Sequence, residues 1–324
     1  MKTYKELYTL VEQKIQQLNF EKQPKELYDP ISYMLSLGGK RLRPVLVLMA
    51  ADLFDEDVHK AIHAALAVEV FHNFTLVHDD IMDRSDIRRG QPTVHKKWNE
   101  TVAILSGDLM MIKATDLLCE TETSNLKKLI SIFNKVGAEV CEGQQIDMNF
   151  EKRNDVSVAE YIDMITLKTA VLLGCSLNLG AEIANANEID AGNLYEFGKC
   201  IGVAFQIQDD ILDSFGEGEK VGKKIGGDIS ANKKTLLLIK AFELADSSSK
   251  KALQKLIDEV PTNVDSKIDA VLKIYQQLNV KNEAEKLKEE FLKKAFSHLD
   301  KISIDNSRKE MLRQTANELM QRMS

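Results

Sequence analysis

The sequence predicts an all-α protein, one domain over 1–324 with ten or more helices around a central pocket. Only 5 proline and 16 glycine residues punctuate its 324 positions, and the stretches between them repeat apolar residues at the helical period. Two of these stretches, 71–83 (FHNFTLVHDDIMD) and 205–216 (FQIQDDILDSFG), carry the same trio of aspartates in an apolar setting. Their shared spacing and flanks predict two acid clusters facing each other across the mouth of the pocket. A chain of this length can bury a large core.

A first helix over about 3–19 sets Tyr4, Leu7, Leu10, Val11 and Ile15 on one stripe. Pro24 opens a second that runs to Leu37. At GGKRLRP, 38–44, Gly38 and Gly39 can end a helix in left-handed geometry, and Pro44 can sit in the first turn of the next. This is either a helix corner with basic residues at a helix C-terminus, or a connector that offers Lys40, Arg41 and Arg43 to a diphosphate. A helix over 44–53 and an acidic turn lead into a long helix from about His59 to Arg84. In RRGQPTVH, 88–95, Arg88 and Arg89 either form an exposed basic loop or bring fixed donors and permanent charge to phosphate.

Further helices are expected at 101–119, 125–150 and 158–184, the last opened by a capping box of Ser157 and Glu160. Inside it Lys168 and Thr169 lie in the apolar run ITLKTAVLLGCSLNLG, where a lysine must snorkel, pair or bind an anion. A helix over 188–213 places Gln206 one turn before the second acid cluster. The stretch 217–235, EGEKVGKKIGGDISANKKT, lacks an apolar period and reads as a loop. Its Lys220, Lys223, Lys224, Lys233 and Lys234 either close over anions or solvate it. From Leu236 onward amphipathic helices read as scaffold.

On a helix Asp79 and Asp83 share a face, with Asp80 about 100° round from Asp79. Like charges ~4 Å apart repel by roughly 4 kcal/mol at an effective dielectric of about 20, so three anions beside Phe74, Leu76, Val77, Ile81 and Met82 call for a positive partner. Asp209, Asp210 and Asp213 repeat the pattern. One such cluster could be an exposed acidic helix end. Two in the same apolar context point to hard cations such as Mg²⁺, which take oxygen ligands and are shared between carboxylates and substrate phosphates. Together the clusters look like a cage for a diphosphate.

A net charge of −7 and a pI of about 5.5 argue against nucleic acid as a partner, since binding its backbone requires a basic surface. Cys119, Cys141, Cys175 and Cys200 show no CxxC spacing and are expected as reduced core residues. The N-terminal segment lacks the apolar block of a signal peptide, and no run approaches the roughly 18 consecutive apolar residues of a membrane span. The expected location is the cytoplasm.

With GGKRLRP, HDDIMD, RRGQP, KT and QDDILD in this order, the sequence resembles the trans-isoprenyl diphosphate synthases, or polyprenyl synthetases, from about residue 30 to about 235. The resemblance implies an isoprenoid-synthase-type helical bundle and a homodimer. It also implies three Mg²⁺ ions held by Asp79, Asp80, Asp83, Asp209, Asp210 and Asp213 around an allylic diphosphate. Lys40, Arg43, His72 and Arg89 map to isopentenyl diphosphate; Arg88, Lys168, Thr169, Gln206 and a loop lysine map to the allylic substrate. Counting forward from Asp209 makes that lysine Lys223, counting back from Asp228 makes it Lys224, and Lys233 is the next candidate. His72 lies seven residues before Asp79, about 20° away on the same helix face, as its role requires.

The implied reaction is loss of diphosphate from the allylic substrate, attack by the isopentenyl double bond on the resulting cation, and loss of a proton, with the departing diphosphate as base. Phe74 and Phe71 lie five and eight residues before Asp79, roughly 7.5 and 12 Å along the axis, where their rings would form a floor under the growing chain. In the family an aromatic residue at the first of these positions restricts the product to short chains, and Thr75 beside it leaves room for more than fifteen carbons. The first acid motif also lacks the longer spacing of typical bacterial farnesyl diphosphate synthases. The expected product is therefore geranylgeranyl diphosphate, with farnesyl diphosphate or a longer polyprenyl diphosphate as alternatives. A terpene cyclase would lack the GGKRLRP loop, and a non-catalytic subunit would lack the aspartates. A carboxylate di-iron site from Glu56-x-x-His59 and Glu69-x-x-His72 would need its motifs on two different helices.

Overall fold

The computed structural model describes residues 1–216, 225–259 and 263–321. The all-α expectation holds: apart from one two-residue hairpin, the regular elements among the described residues are helical. Backbone contacts divide the chain into two compact units, one of Met1–Asn134, Cys175–Tyr195 and Ile302–Met311, the other of Lys135–Gly174, Glu196–Lys301 and Leu312–Ser324.

In the first unit α1 (Tyr4–Gln16) opens with a capping box between Thr3 and Glu6 and buries Leu7, Val11 and Ile15. Helix α2 (Lys25–Ser36) follows Pro24, and α3 (Leu42–Leu53) is buried along nearly its whole length. An apolar helix of that kind is a core element. Helix α4 (Ile62–Met82) runs on from a 3₁₀ turn at Val58–Ala61 and carries the first acid cluster at its C-terminal end. It packs along α6 (Glu100–Cys119). Between them the strands β1 (Ile87–Arg88) and β2 (Gln91–Pro92) pair antiparallel, and α5 (Val94–Lys97) follows. The two residues of the hairpin turn, Arg89 and Gly90, have φ of 52° and 75°, the positive values of the tight turn that matches strand twist.

Helix α7 (Leu126–Phe150) leads into the second unit. The single helix expected over 158–184 proves to be three segments: α8 (Val158–Ile165), a π-helical turn (Thr166–Ala170) and α9 (Val171–Ile183). The Ser157–Glu160 capping box is present. Helix α10 (Glu188–Phe215) carries the second acid cluster. After it come α11 (Gly227–Ser230), α12 (Leu236–Leu244), α13 (Ser247–Asp258), α14 (Val264–Gln277), α15 (Val280–Lys301) and α16 (Asn306–Gln321). Helices α11–α15 share a core that joins Phe150, Tyr161, Ile207, Ile211, Leu237 and Tyr275.

One expectation fails in part: Cys175 and Cys200 are buried, but Cys119 and Cys141 are exposed, each on the outward side of its helix. One stretch among the described residues, 158–183, is long and apolar enough to cross a membrane, yet 78% of its apolar 18-residue window is buried inside the protein. Its apolar side chains face the core.

Candidate active site

The GGKRLRP turn displays its basic residues unequally. Arg41, at φ 46°, turns inward: its Nε donates to Glu12 at 2.6 Å, its Nη1 to Glu69 at 2.6 Å and its Nη2 to the Leu35 carbonyl at 2.7 Å. It is 3% exposed and ties α1, α2 and α4 to the turn. Glu69 also accepts from Asn73, so it is a partner for Arg41 and not an iron ligand. Burial opposes the Arg41 charge, but the two glutamates outweigh it and raise its pKa. Lys40 stays exposed, with its carbonyl held by the Tyr4 hydroxyl at 2.5 Å.

Arg43 points the other way. Its Nη1 lies 3.1 Å from His72 Nε2, and its Nε is buried without a hydrogen-bond partner. Burial pulls Arg43 down to about 10, with the neighbouring Arg89 adding to the effect against Glu69. It therefore remains a cation at neutral pH. Burial, followed by Arg43 and three further arginines, lowers His72 well below its usual value. A neutral His72 accepts from Arg43 at Nε2 and carries its proton on Nδ1, a second donor for a ligand. Arg89 reaches back from the hairpin and donates to the Gly38 carbonyl. Gly39 has φ 139°, a backbone conformation that strains any L side chain, and a Cβ there would also come within 3.0 Å of the Arg89 guanidinium. The Tyr33 hydroxyl anchors the hairpin through the Pro92 carbonyl at 2.7 Å. In this unit Arg43, His72 and Arg89 form one donor-rich, cationic cluster with an unsatisfied buried N–H, as a diphosphate site requires.

The first acid cluster is also differentiated. Asp80 is 1% exposed, and Arg88 grips it: Nε lies 2.9 Å from both carboxylate oxygens and Nη2 2.7 Å from Oδ1. Burial raises Asp80 against the opposing pull of Arg88. Asp79 is partly accessible and Asp83 exposed. On the same helix Phe71 and Phe74 are buried at 3% and 7% exposure. They belong to an edge-to-face series in which Phe133 lies 5.2 Å from Phe71, Phe71 5.4 Å from Phe74, and Phe74 4.9 Å from His78. Thr75 is partly buried and donates to the His72 carbonyl.

The second unit contains a cleft of about 220 Å³ that brings together Lys168, Thr169, Gln206, Asp209, Asp210, Asp213 and Lys233. Sequence reasoning named every one of these. Lys168 Nζ donates to Asp147 at 2.6 Å. Thr169 is 3.4 Å from Gln206, and Gln206 3.5 Å from Asp210, both long contacts. Asp210 is 4% exposed and accepts from the Tyr161 hydroxyl at 2.6 Å and the Leu236 N–H at 3.0 Å. Burial and the charge of Asp228 push it up to about 8 against those two donors. Asp209 and Asp213 are more open. Lys223 and Lys224, like Lys220, lie outside the described residues. Asp147, Tyr161 and Asp228 also line the cleft, but none was named as a site residue from the sequence.

Residues 24–275 match the polyprenyl synthetase family profile. The chain belongs to the polyprenyl synthetase family. This polyprenyl synthetase is 45% identical over 236 residues to the geranylgeranyl pyrophosphate synthase of Geoglobus acetivorans, covering 72% of its own chain and 74% of that relative. A solved geranylgeranyl pyrophosphate synthase superposes at a TM-score of 0.95, with 42% identity and both chains fully covered. A polyprenyl synthase from Caulobacter crescentus CB15, solved with calcium and isoprenyl diphosphate, superposes at 0.87 with 25% identity over 99% of this chain and 95% of that one.

The polyprenyl synthetase is thus an isoprenyl diphosphate synthase, a trans-prenyltransferase of a family that uses divalent metal ions. Its donor set suits them. All six motif residues are carboxylates, and Asp210 is raised first by burial and then by the neighbouring charges of Asp228 and Asp209, which a cation would offset. Among the described residues no three candidate ligands close around one point. Open carboxylate sets of this kind are completed by water and phosphate oxygens when Mg²⁺ binds.

Proposed function

We propose that this polyprenyl synthetase condenses isopentenyl diphosphate with an allylic diphosphate and stops at geranylgeranyl diphosphate. The observation that carries the assignment of the first substrate is the Arg43–His72–Arg89 cluster with the orphaned Arg43 Nε. There Lys40, Arg43, His72 and Arg89 hold isopentenyl diphosphate. Arg88, Lys168, Thr169, Gln206, Lys233 and either Lys223 or Lys224 serve the allylic diphosphate. The exposed Asp83 and the partly accessible Asp79, Asp209 and Asp213 would hold Mg²⁺, in a set of three ions, together with Asp80 and Asp210. When bound, these ions would neutralise the charge that develops on the departing diphosphate.

The protein's own part is to orient both diphosphates, add cationic charge where the leaving group forms, and keep water from the allylic cation. Lys168 donates to the leaving diphosphate, and that diphosphate takes the proton lost after carbon–carbon bond formation. No side-chain nucleophile is required. Phe74 and Phe71 limit the chain and Thr75 spares room for twenty carbons. A homodimer is supported by an exposed apolar stripe on α6: Ile104, Leu105, Met111 and Ile112 are 43–54% exposed and lie on one face.

The two-site assignment is tested by steady-state kinetics. Arg43→Ala and Arg89→Ala should raise KM for isopentenyl diphosphate by ~10-fold or more, each losing a charge-assisted bond. Lys168→Ala should instead act on the allylic substrate and on kcat. Equal effects of all three on both substrates would rule the assignment out.

A further inference from the structure

The π-helical turn at Thr166–Ala170 holds Lys168 and Thr169. A π turn inserts one residue into a helix and shifts the side chains beyond it by about 100°. Such insertions are uncommon and tend to occur at functional sites, so something must hold this one in place. Two glycines from neighbouring helices approach its backbone closely.

On α7, Gly143 and Asp147 are four residues apart and share a face. A Cβ on Gly143 would lie 2.3 Å from the Lys168 nitrogen and 2.7 Å from its Cα. These are backbone atoms, with no flexible side chain to give way. One turn further along, Asp147 takes the Lys168 ammonium at 2.6 Å. On α10, a Cβ on Gly202 would lie 2.6 Å from the Ala170 Cα and 2.8 Å from its Cβ. Both helices therefore meet the turn backbone to backbone.

We propose that Asp147 is a positioning residue for Lys168, and that Gly143 and Gly202 fix the π turn that presents Lys168 and Thr169 to the allylic diphosphate. The proposal rests on the assignment of Lys168 to that substrate. The cleft also holds Asp209, Asp210, Asp213 and Asp228. An ammonium with no partner on α7 would pair with one of these acids and compete with the cations they attract. Asp147 keeps Lys168 extended and leaves the acids of α10 to metal. The link to diphosphate is local: the ion pair is partly exposed, with side-chain accessibilities of 22% and 32%, so Lys168 can exchange it for a phosphate oxygen.

The test is a double-mutant cycle between Asp147→Asn and Lys168→Met, with Michaelis constants measured for both substrates and folding checked by circular dichroism. Asp147→Asn should raise the allylic KM or lower kcat by ~10-fold, leave the isopentenyl KM unchanged, and add little in the Lys168→Met background. Its half-saturating Mg²⁺ concentration should also rise. Asp147→Glu, which keeps the charge, should recover part of the loss, and Gly143→Ala should reproduce the allylic defect if it folds. Wild-type kinetics for Asp147→Asn, a loss fully additive with Lys168→Met, or equal changes in both Michaelis constants would overturn the proposal. If Lys168→Met itself is fully active, the assignment of Lys168 falls and the proposal falls with it. If Lys168→Met is impaired and Asp147→Asn is not, only the proposal falls.

Discussion

Asp79→Ala or Asp209→Ala lowers kcat by ~10³-fold or more while the protein stays folded, because losing a metal ligand withdraws stabilisation from the charge formed in the transition state. Both side chains are partly accessible, so truncation opens no large cavity. Their neighbours should behave differently. Asp80→Ala strips Arg88 of its bidentate partner, and Asp210→Ala leaves the Tyr161 hydroxyl and the Leu236 N–H without their shared acceptor. Unsatisfied buried groups cost about 1–3 kcal/mol each. These two variants should therefore lose stability as well as activity, whereas Asp79→Ala and Asp209→Ala lose activity with melting temperatures near wild type. Rates paired with thermal melts separate the cases. Full turnover in excess chelator would contradict the metal role altogether.

Phe74→Ala combined with Phe71→Ala lengthens the product beyond twenty carbons. The two rings lie edge to face at 5.4 Å, and Phe71 is backed by Phe133, so removing both deletes a connected block of apolar volume. Each Phe→Ala change in a core costs about 3–5 kcal/mol, so the assay should run well below the melting point of the variant. Phe74→Ala alone gives the smaller extension. Chain length read by chromatography of the dephosphorylated products decides. An unchanged product distribution in the double variant would mean that the phenylalanines do not set the length.

Much of the site was legible because its chemistry is written in motifs. Carboxylates repeated in apolar helices and arginines beside paired glycines are costly arrangements that call for a partner. The seven cleft residues named from the sequence do line one cavity in the second unit. What the sequence hid were residues that act through geometry. Arg41 sits between Lys40 and Arg43 in the chain, yet a left-handed backbone turns it inward to Glu12 and Glu69. The π turn at Lys168 has no signature of its own, since its cause lies in Gly143 and Gly202 on other helices. Asp147 could have been suspected from its position one turn after Gly143, but only once something was known to pack there. Two cysteines expected inside are outside, because a small apolar residue on a helix does not reveal its face.

The most direct test is to incubate the purified protein and Mg²⁺ with isopentenyl diphosphate and, in turn, dimethylallyl, geranyl and farnesyl diphosphate, and to measure the product chain length. Geranylgeranyl diphosphate as the main all-trans product from each primer, and none with chelator present, is the predicted result. Chains of thirty carbons or more, or no elongation of any primer, would contradict it.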